Sequence, residues 1–124
     1  MEEIKVGEYV RNNEGYIGKI GKIFYDEQEK QNYYSCEKHN VMASGYNEQI
    51  VKHSFNLIDL IEEGDYVNGN IVYEILDDEI ELLSGKIRKK RIHFITGHLI
   101  DEDGIKSIVT KEQFKSVEYV IEEE

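Results

Sequence analysis

Ile61-Glu62-Glu63-Gly64-Asp65-Tyr66-Val67 lies at the middle of the chain, and Ile4-Lys5-Val6-Gly7-Glu8-Tyr9-Val10 lies near its start. Both stretches place a glycine, an acid, a tyrosine and a valine in the same order. The two halves also end alike, because Ile50-Val51 closes the first and Ile108-Val109 closes the second. A pattern that returns within one chain indicates an internal structural repeat. The sequence therefore predicts two related units in series.

Turn signals separated by apolar alternation predict strands through most of the chain. Asn68-Gly69-Asn70 is a hairpin signal, and apolar side chains alternate with others over residues 71–75. Gly18 and Gly21 interrupt the stretch 16–25, which favours a sharply curved strand over a helix. A curved strand after a glycine-containing turn is typical of small SH3-like barrels. We therefore expect a mainly β fold of two related SH3-like small β-barrel or antiparallel-sheet repeats.

One or two short helical turns are expected at the ends of the repeats. Ser54 can cap a helical turn over residues 55–60. Thr110 and Gln113 have the spacing of a capping box, in which each side chain bonds the other residue's backbone N–H. A short helix near 111–115 should follow that box.

The repeats divide the chain near residue 60. We assign residues 1–60 to a first β repeat that ends in a short helical turn, and residues 61–124 to a second with a short helix and an acidic tail. In the first, residues 39–49 have little pattern and are expected to be irregular. In the second, Asp77-Asp78 is expected to turn the chain, and residues 117–121 alternate as a last strand. Neither half holds many large apolar residues, so we expect both to share a core within one compact domain.

Composition and charge disfavour several classes of protein. The 124 residues carry a net charge of −11, which disfavours direct nucleic-acid binding and favours encounter with a basic protein surface. No apolar run reaches the length of a membrane span, so no membrane partner is expected. Cys36 is the only cysteine and cannot form an internal disulfide, which fits the reducing cytoplasm of a bacterial host cell.

An acidic, tyrosine-bearing surface is the first candidate binding site. Such a surface can occupy a basic groove on another protein, as a DNA mimic does. Tyr33, Tyr34 and Tyr46 lie in weakly patterned segments and are candidates for a recognition surface. The carboxylates assigned to partner binding are Asp77, Asp78, Glu79, Glu81, Asp101, Glu102 and Asp103.

A basic segment over residues 86–93 is the second candidate site. It has three interpretations: an anion or nucleotide-phosphate site, a patch that meets an acidic strand of a second copy, or a solvated strand edge protected by lysines. As an anion site it would be formed by Lys86, Arg88, Lys90, Arg91 and His93.

No residue set in the sequence points to catalysis or to a metal. Cys36 and His39 resemble half of a zinc site, but there is no second cysteine and His53 is far along the chain. No nucleophile paired with a base and no phosphate-binding glycine loop is visible in the sequence. We therefore expect a protein that is not an enzyme, with no catalytic residues, no metal and no cofactor.

Three strings of the sequence resemble small proteins encoded by phages and prophages of Gram-positive bacteria. The strings are Gly7-Glu8-Tyr9-Val10, Gly64-Asp65-Tyr66-Val67-Asn68-Gly69 and Ile108-Val109-Thr110-Lys111-Glu112-Gln113-Phe114. The family has no settled activity, so the resemblance implies no functional residues. It implies a context, because small acidic phage proteins often act on host immune systems.

The expected function is that of a phage-type binding protein that inhibits a host immune or anti-phage factor. It would be an anti-CRISPR-like DNA mimic, and its partner would be a host protein with a basic nucleic-acid-binding surface. One alternative is an oligomeric sponge that sequesters a nucleotide immune signal with the basic strand 86–93, which would require a homo-oligomer. A second alternative is a structural or regulatory phage module.

Overall fold

The structure, a computed structural model, describes residues 3–116, and strands are its main element. Short 3-10 turns and one α-helix connect or follow the strands. The strands are β1 Tyr9–Asn12, β2 Ile17–Asp26, β3 Gln31–Cys36, β4 Gly45–Tyr46, β5 Ile50–Ser54, β6 Tyr66–Val67, β7 Asn70–Leu82, β8 Gly85–Phe94, β9 Leu99–Asp101 and β10 Ile108–Val109. The 3-10 turns are Lys38–Ala43, Asn47–Gln49, Leu57–Leu60 and Glu102–Gly104, and the helix α1 is Lys111–Ser116.

The strands form two five-stranded antiparallel sheets, one from each half of the chain. The first sheet has the order β4-β3-β2-β1-β5, and the second has the order β9-β8-β7-β6-β10. In both sheets the order is therefore fourth, third, second, first and fifth strand of that half of the chain. The prediction of a mainly β fold is confirmed. Neither sheet closes into a barrel within residues 3–116, and the SH3-like assignment stays a prediction.

The repeated motif occupies matching places at the start of each sheet. Gly7 and Gly64 both have a left-handed backbone, with φ of 94° and 89°. The acid that follows each glycine, Glu8 or Asp65, accepts a hydrogen bond from the backbone N–H three residues before it. A side chain at either glycine would strain the backbone, so this turn requires glycine at that position.

Each sheet has its own apolar cluster. The first contains Ile4, Val10, Ile20, Tyr34, Cys36 and Ala43. The second contains Ile58, Ile61, Val67, Val72, Ile92 and Phe94. The two clusters are distinct, and Ile58 connects them along the chain because it belongs to the 3-10 turn after β5 yet packs in the second cluster. The prediction of one shared compact domain stays a prediction.

Arg11 on β1 links the first sheet to the second half through polar contacts. Its buried guanidinium forms a bidentate ion pair with the buried Asp65 at 2.6 and 3.0 Å. It also donates to the Leu60 carbonyl oxygen at 2.9 Å and to the Glu112 carboxylate in α1. Burial by itself lowers the pKa of Arg11, but the hydrogen bonds and charge of Asp65, the hydrogen bond to Glu112 and the charge of Glu62 outweigh burial and raise it. A permanent cation therefore lies between the halves and holds segments of both.

Several local predictions are confirmed. Asn68 and Gly69 form the predicted hairpin turn, and both have positive φ, 52° and 79°. The Thr110 N–H donates to the Gln113 side chain at 2.8 Å, and the Gln113 N–H donates to the Thr110 hydroxyl at 3.4 Å. This is the predicted capping box, and α1 follows it. The strand with two glycines is β2, and its register against β3 shifts at Gly21.

The predicted turn at Asp77-Asp78 is wrong. Both residues lie inside β7, which continues to Leu82. Asp77 pairs with Lys90 and Asp78 pairs with Lys89 on β8. Opposite charges that face each other across an antiparallel pair stabilise the ladder, so two adjacent aspartates do not end this strand.

Two smaller predictions turn out differently, and a third is not tested. Residues 39–49 are more regular than expected, because they contain β4, most of the first 3-10 turn and all of the second. Ser54 does not cap the helical turn; Asn56 precedes that turn without a side-chain cap, and the Ser54 hydroxyl donates to Asp59. The last strand predicted over residues 117–121 lies outside the described residues.

Candidate protein-binding surface

The acidic and basic residues predicted from the sequence as two sites lie opposite one another on one hairpin. β7 carries four of the acids, β8 carries the bases, and the two strands pair directly. The other three acids follow on β9 and the 3-10 turn after it. The paired positions are Asp77 with Lys90, Asp78 with Lys89, Glu79 with Arg88 and Glu81 with Lys86.

Most of these charges are engaged in ion pairs. The Glu102 carboxylate instead accepts a hydrogen bond from the Ile58 backbone N–H at 3.1 Å. Within the described part of the chain, only Glu81 and Asp103 of the seven proposed acids form neither an ion pair nor a hydrogen bond of this kind. These contacts largely neutralise the predicted acidic site within the chain itself. A DNA mimic, by contrast, needs carboxylates that are available to a basic groove. The pairs are Lys86–Glu79 at 3.9 Å, Arg88–Asp77 at 3.3 Å, Lys89–Asp101 at 2.9 Å, Lys90–Asp59 at 2.6 Å and Arg91–Asp78.

The basic residues do not converge on a pocket of their own sign. A cleft of about 580 Å³ is lined by Arg88, Lys89 and Lys90, together with five carboxylates. Five negative charges beside three positive ones disfavour a bound phosphate. His93 does not line this cleft, and its ring contacts the Glu74 carboxylate at 3.1 Å. The nucleotide site therefore stays a prediction that this cleft does not support.

Cys36 and His39 do not form the half of a metal site that the sequence suggested. Cys36 is buried on β3, whereas His39 is exposed on the following 3-10 turn. Burial is the largest effect on the Cys36 thiol and raises its pKa, which disfavours the thiolate that a metal would bind. Within residues 3–116, no three His, Cys, Asp or Glu side chains are grouped so that they could hold a metal ion.

Three aromatic side chains form a row across the outer face of the first sheet. Phe24 of β2 pairs with Tyr33 of β3, and Tyr33 pairs with Tyr46 of β4. Directly paired residues project from the same face of a sheet. Tyr34, the neighbour of Tyr33, points the opposite way and is buried in the first apolar cluster. The row therefore faces away from the core, and we call Phe24, Tyr33, Tyr46 and Asp26 the aromatic face.

Contacts within the aromatic face hold its rings in place. The rings of Tyr33 and Tyr46 pack edge to face, with centroids 5.1 Å apart. The Tyr46 hydroxyl donates to the Asp26 carboxylate at 2.9 Å. Hydrogen bonds from the Glu29 N–H and then from Tyr46 lower the pKa of Asp26, and the bond to Asp26 raises the pKa of Tyr46. Rings that are already ordered lose little conformational entropy when a partner covers them.

Acidic side chains outnumber basic ones around the aromatic face. The turn between β2 and β3 is exposed and carries two glutamates, and a third glutamate follows β4. The charged residues next to the row are Asp26, Glu27, Glu29 and Glu48, against Lys22 and Lys30. An acidic surface that bears tyrosines is therefore present, but it lies in the first half and not on the β7–β8 hairpin.

Sequence reasoning found part of this surface. It selected Tyr33, Tyr34 and Tyr46, of which Tyr33 and Tyr46 lie together and Tyr34 lies in the core. It missed Phe24 altogether. Simple alternation would place Phe24 on the same side as the buried Ile20, and only the register shift at Gly21 brings it to the outer face, so no local signal indicated it.

No family model, curated protein or solved structure matches the chain. No helix within residues 3–116 is long and apolar enough to cross a membrane.

Proposed function

We propose that this chain is a non-enzymatic binding protein that inhibits a host factor by docking on it through the aromatic face. The row formed by Phe24, Tyr33 and Tyr46 is the observation that carries the proposal. It presents an ordered apolar surface on a rigid sheet, with carboxylates beside it. The resemblance to phage proteins is the reason for proposing a host immune or anti-phage factor as the target.

A protein partner fits the aromatic face better than a nucleic acid does. Sheets that stack bases on aromatic rings combine those rings with a positively charged groove for the phosphates. Here the neighbouring charges are mostly carboxylates, and the chain carries a net charge of −11. The same rings can serve as anchors for a protein surface, since tyrosine and other aromatic residues are enriched at the centres of protein interfaces.

The charge around the aromatic face indicates a basic rim on the partner. Asp26 is held ionised by its hydrogen bonds, and Glu27, Glu29 and Glu48 surround it on exposed turns. Opposite charge at the rim of an interface accelerates encounter and adds salt dependence, while the aromatic centre determines how slowly the complex dissociates. A host protein with a basic nucleic-acid-binding surface meets this description. Interference with that surface is the proposed mode of inhibition.

The two halves are proposed to be SH3-like repeats of one ancestral unit. Identical strand orders and the matched turns at Gly7 and Gly64 support this reading. A 3-10 turn also lies between the fourth and fifth strands of both halves, at Asn47–Gln49 and at Glu102–Gly104. The repeats then differ in function, because within residues 3–116 the aromatic row lies in the first and the long hairpin lies in the second.

Phe24→Lys is expected to abolish capture of the proposed host partner. The substitution places a cation at the end of the aromatic row, where an apolar partner surface would have to desolvate it. The measurement is a tagged pull-down from the lysate of a Gram-positive bacterium, with bound proteins identified by mass spectrometry. We expect the wild-type chain to retain a host protein at low salt that Phe24→Lys does not retain.

Phe55→Lys is the matched control for this experiment. Phe55 is as exposed as Phe24, 59% against 52%, but it follows β5 and lies outside the aromatic face. Both variants add the same charge, so net charge alone cannot separate them. Capture of the same protein by wild type, Phe24→Lys and Phe55→Lys alike would exclude docking through the aromatic face.

A further inference from the structure

The hairpin of β7 and β8 extends beyond the second sheet as a two-stranded arm. Neighbouring strands cover only its base, since β6 pairs β7 at residues 70–71 and β9 pairs β8 at residues 91–93. Residues 77–82 and 85–90 pair only with each other. At about 3.3 Å per residue, this arm is about 20 Å long. A two-stranded ribbon with no sheet behind it is only marginally stable in water, so the arm gains stability if something covers it.

One face of the arm is apolar. Ile80 pairs with Ile87, and Leu82 lies two residues further along the same side of β7. These three side chains are 37, 47 and 46% exposed, and Leu83 at the tip is fully exposed. The opposite face carries charge from end to end, with Asp77, Glu79, Glu81, Lys86, Arg88 and Lys90. The arm is therefore amphipathic, and within residues 3–116 no other strand pairs along it to bury its apolar side chains.

Charges of both signs border the apolar face. Asp78 and Lys89 pair directly below Ile80 and Ile87, and Arg91 follows on the same side and contacts Asp78. A two-fold contact places a surface against the same surface of a second copy, so the surface must be complementary to itself. An apolar patch bordered by side chains of both charges meets that condition. The apolar face of the arm is such a patch.

The edges of the arm disfavour the other symmetric way in which two arms could join. Pairing of two β7 edges would bring Asp77, Asp78, Glu79 and Glu81 of each copy together. Pairing of two β8 edges would bring Lys86, Arg88, Lys89 and Lys90 of each copy together. Like charges directly across a strand pair are destabilising, and charged edges are a common protection against such pairing. Contact through the apolar faces avoids both repulsions.

We infer that the apolar face of the arm, formed by Ile80, Leu82 and Ile87 with Leu83 exposed at the tip, packs on the same face of a second copy of this chain. The contact is independent of the aromatic face, which lies on the other sheet. It is small, because only the outer part of one hairpin takes part, and interfaces of this size are weak. We therefore expect a dimer whose dissociation constant lies in the micromolar range.

The double variant Ile80→Thr with Ile87→Thr tests the inference. Threonine keeps a β-branched side chain and a high strand propensity, so the arm can still form while its apolar face becomes polar. Sedimentation velocity of the full chain is measured over a micromolar concentration series. Wild type is expected to shift from monomer to dimer, and the variant to need at least tenfold more protein for the same shift.

A matched double variant, Val51→Thr with Val109→Thr, removes two exposed apolar side chains from strands outside the arm. It should dimerise as wild type does, and circular dichroism should give the same strand content for all three proteins. A wild-type chain that stays monomeric throughout the series would overturn the inference. So would an arm variant, folded by the same criterion, that dimerises as strongly as wild type.

Discussion

Arg11→Met is expected to lower the free energy of unfolding by about 3–5 kcal/mol, the range for breaking a buried ion pair from one side. The guanidinium and the Asp65 carboxylate are both fully buried, and they share two hydrogen bonds. Methionine fills a similar volume but supplies no donor. The Asp65 carboxylate would then remain buried with its charge uncompensated, and the Leu60 carbonyl oxygen would lose a donor.

Urea denaturation measures this effect, and Lys52→Met is its control. Lys52 also pairs with a carboxylate, Glu62 at 3.2 Å, but its side chain is partly exposed. Exposed ion pairs contribute about 0–1 kcal/mol, so the control should unfold almost as wild type does. The double variant Arg11→Met with Asp65→Leu removes both buried charges and should recover part of the loss. Equal stabilities for Arg11→Met and Lys52→Met would contradict the role assigned to Arg11.

Gly15→Ala is expected to destabilise the chain by about 2–5 kcal/mol, the sum of backbone strain and overpacking. Gly15 has φ of 86°, which an alanine adopts only at a cost. An added Cβ would lie 2.7 Å from the Glu112 Cβ and would also collide with the Thr110 hydroxyl. That hydroxyl donates to the Gly15 carbonyl oxygen at 2.7 Å, so the substitution disturbs a second polar link between the halves.

Gly69→Ala separates backbone strain from the collision. Gly69 has a similar φ of 79°, but nothing lies within 4 Å of the position of its Cβ. This variant should therefore lose only the strain energy, about 1–2 kcal/mol. Thermal or urea unfolding of both variants gives the comparison. If Gly69→Ala proved as damaging as Gly15→Ala, close packing of Gly15 against α1 would not be important for stability.

Local signals in the sequence predict the β architecture well. The hairpin at Asn68-Gly69 and the capping box at Thr110 depend only on residues close in the chain, and both are confirmed. The repeated Gly7 and Gly64 turns also depend on local backbone geometry. In each case the residue type requires a particular φ or a particular hydrogen bond, so the pattern is informative without knowledge of the fold.

Features that depend on distant pairing are the ones that sequence reasoning missed. Asp77-Asp78 has the composition of a turn, yet lysines on β8 stabilise it as strand. The acid and base clusters look like separate sites until the register places them face to face. Arg11 is indistinguishable from a surface arginine in the sequence, because its partner Asp65 lies in the other half. Phe24, Tyr33 and Tyr46 form a row only through the alignment of three strands.

Hydrogen exchange of the full chain, alone and bound to the host protein that it captures, tests docking on the aromatic face most directly. We expect slower exchange in the bound state for peptides that cover the β2–β3 hairpin and β4. The exchange rates of peptides that cover residues 77–90 of the β7–β8 arm should change little. Protection confined to residues 77–90, with none in β2, β3 or β4, would contradict docking on the aromatic face and would restore the charged hairpin as the binding site.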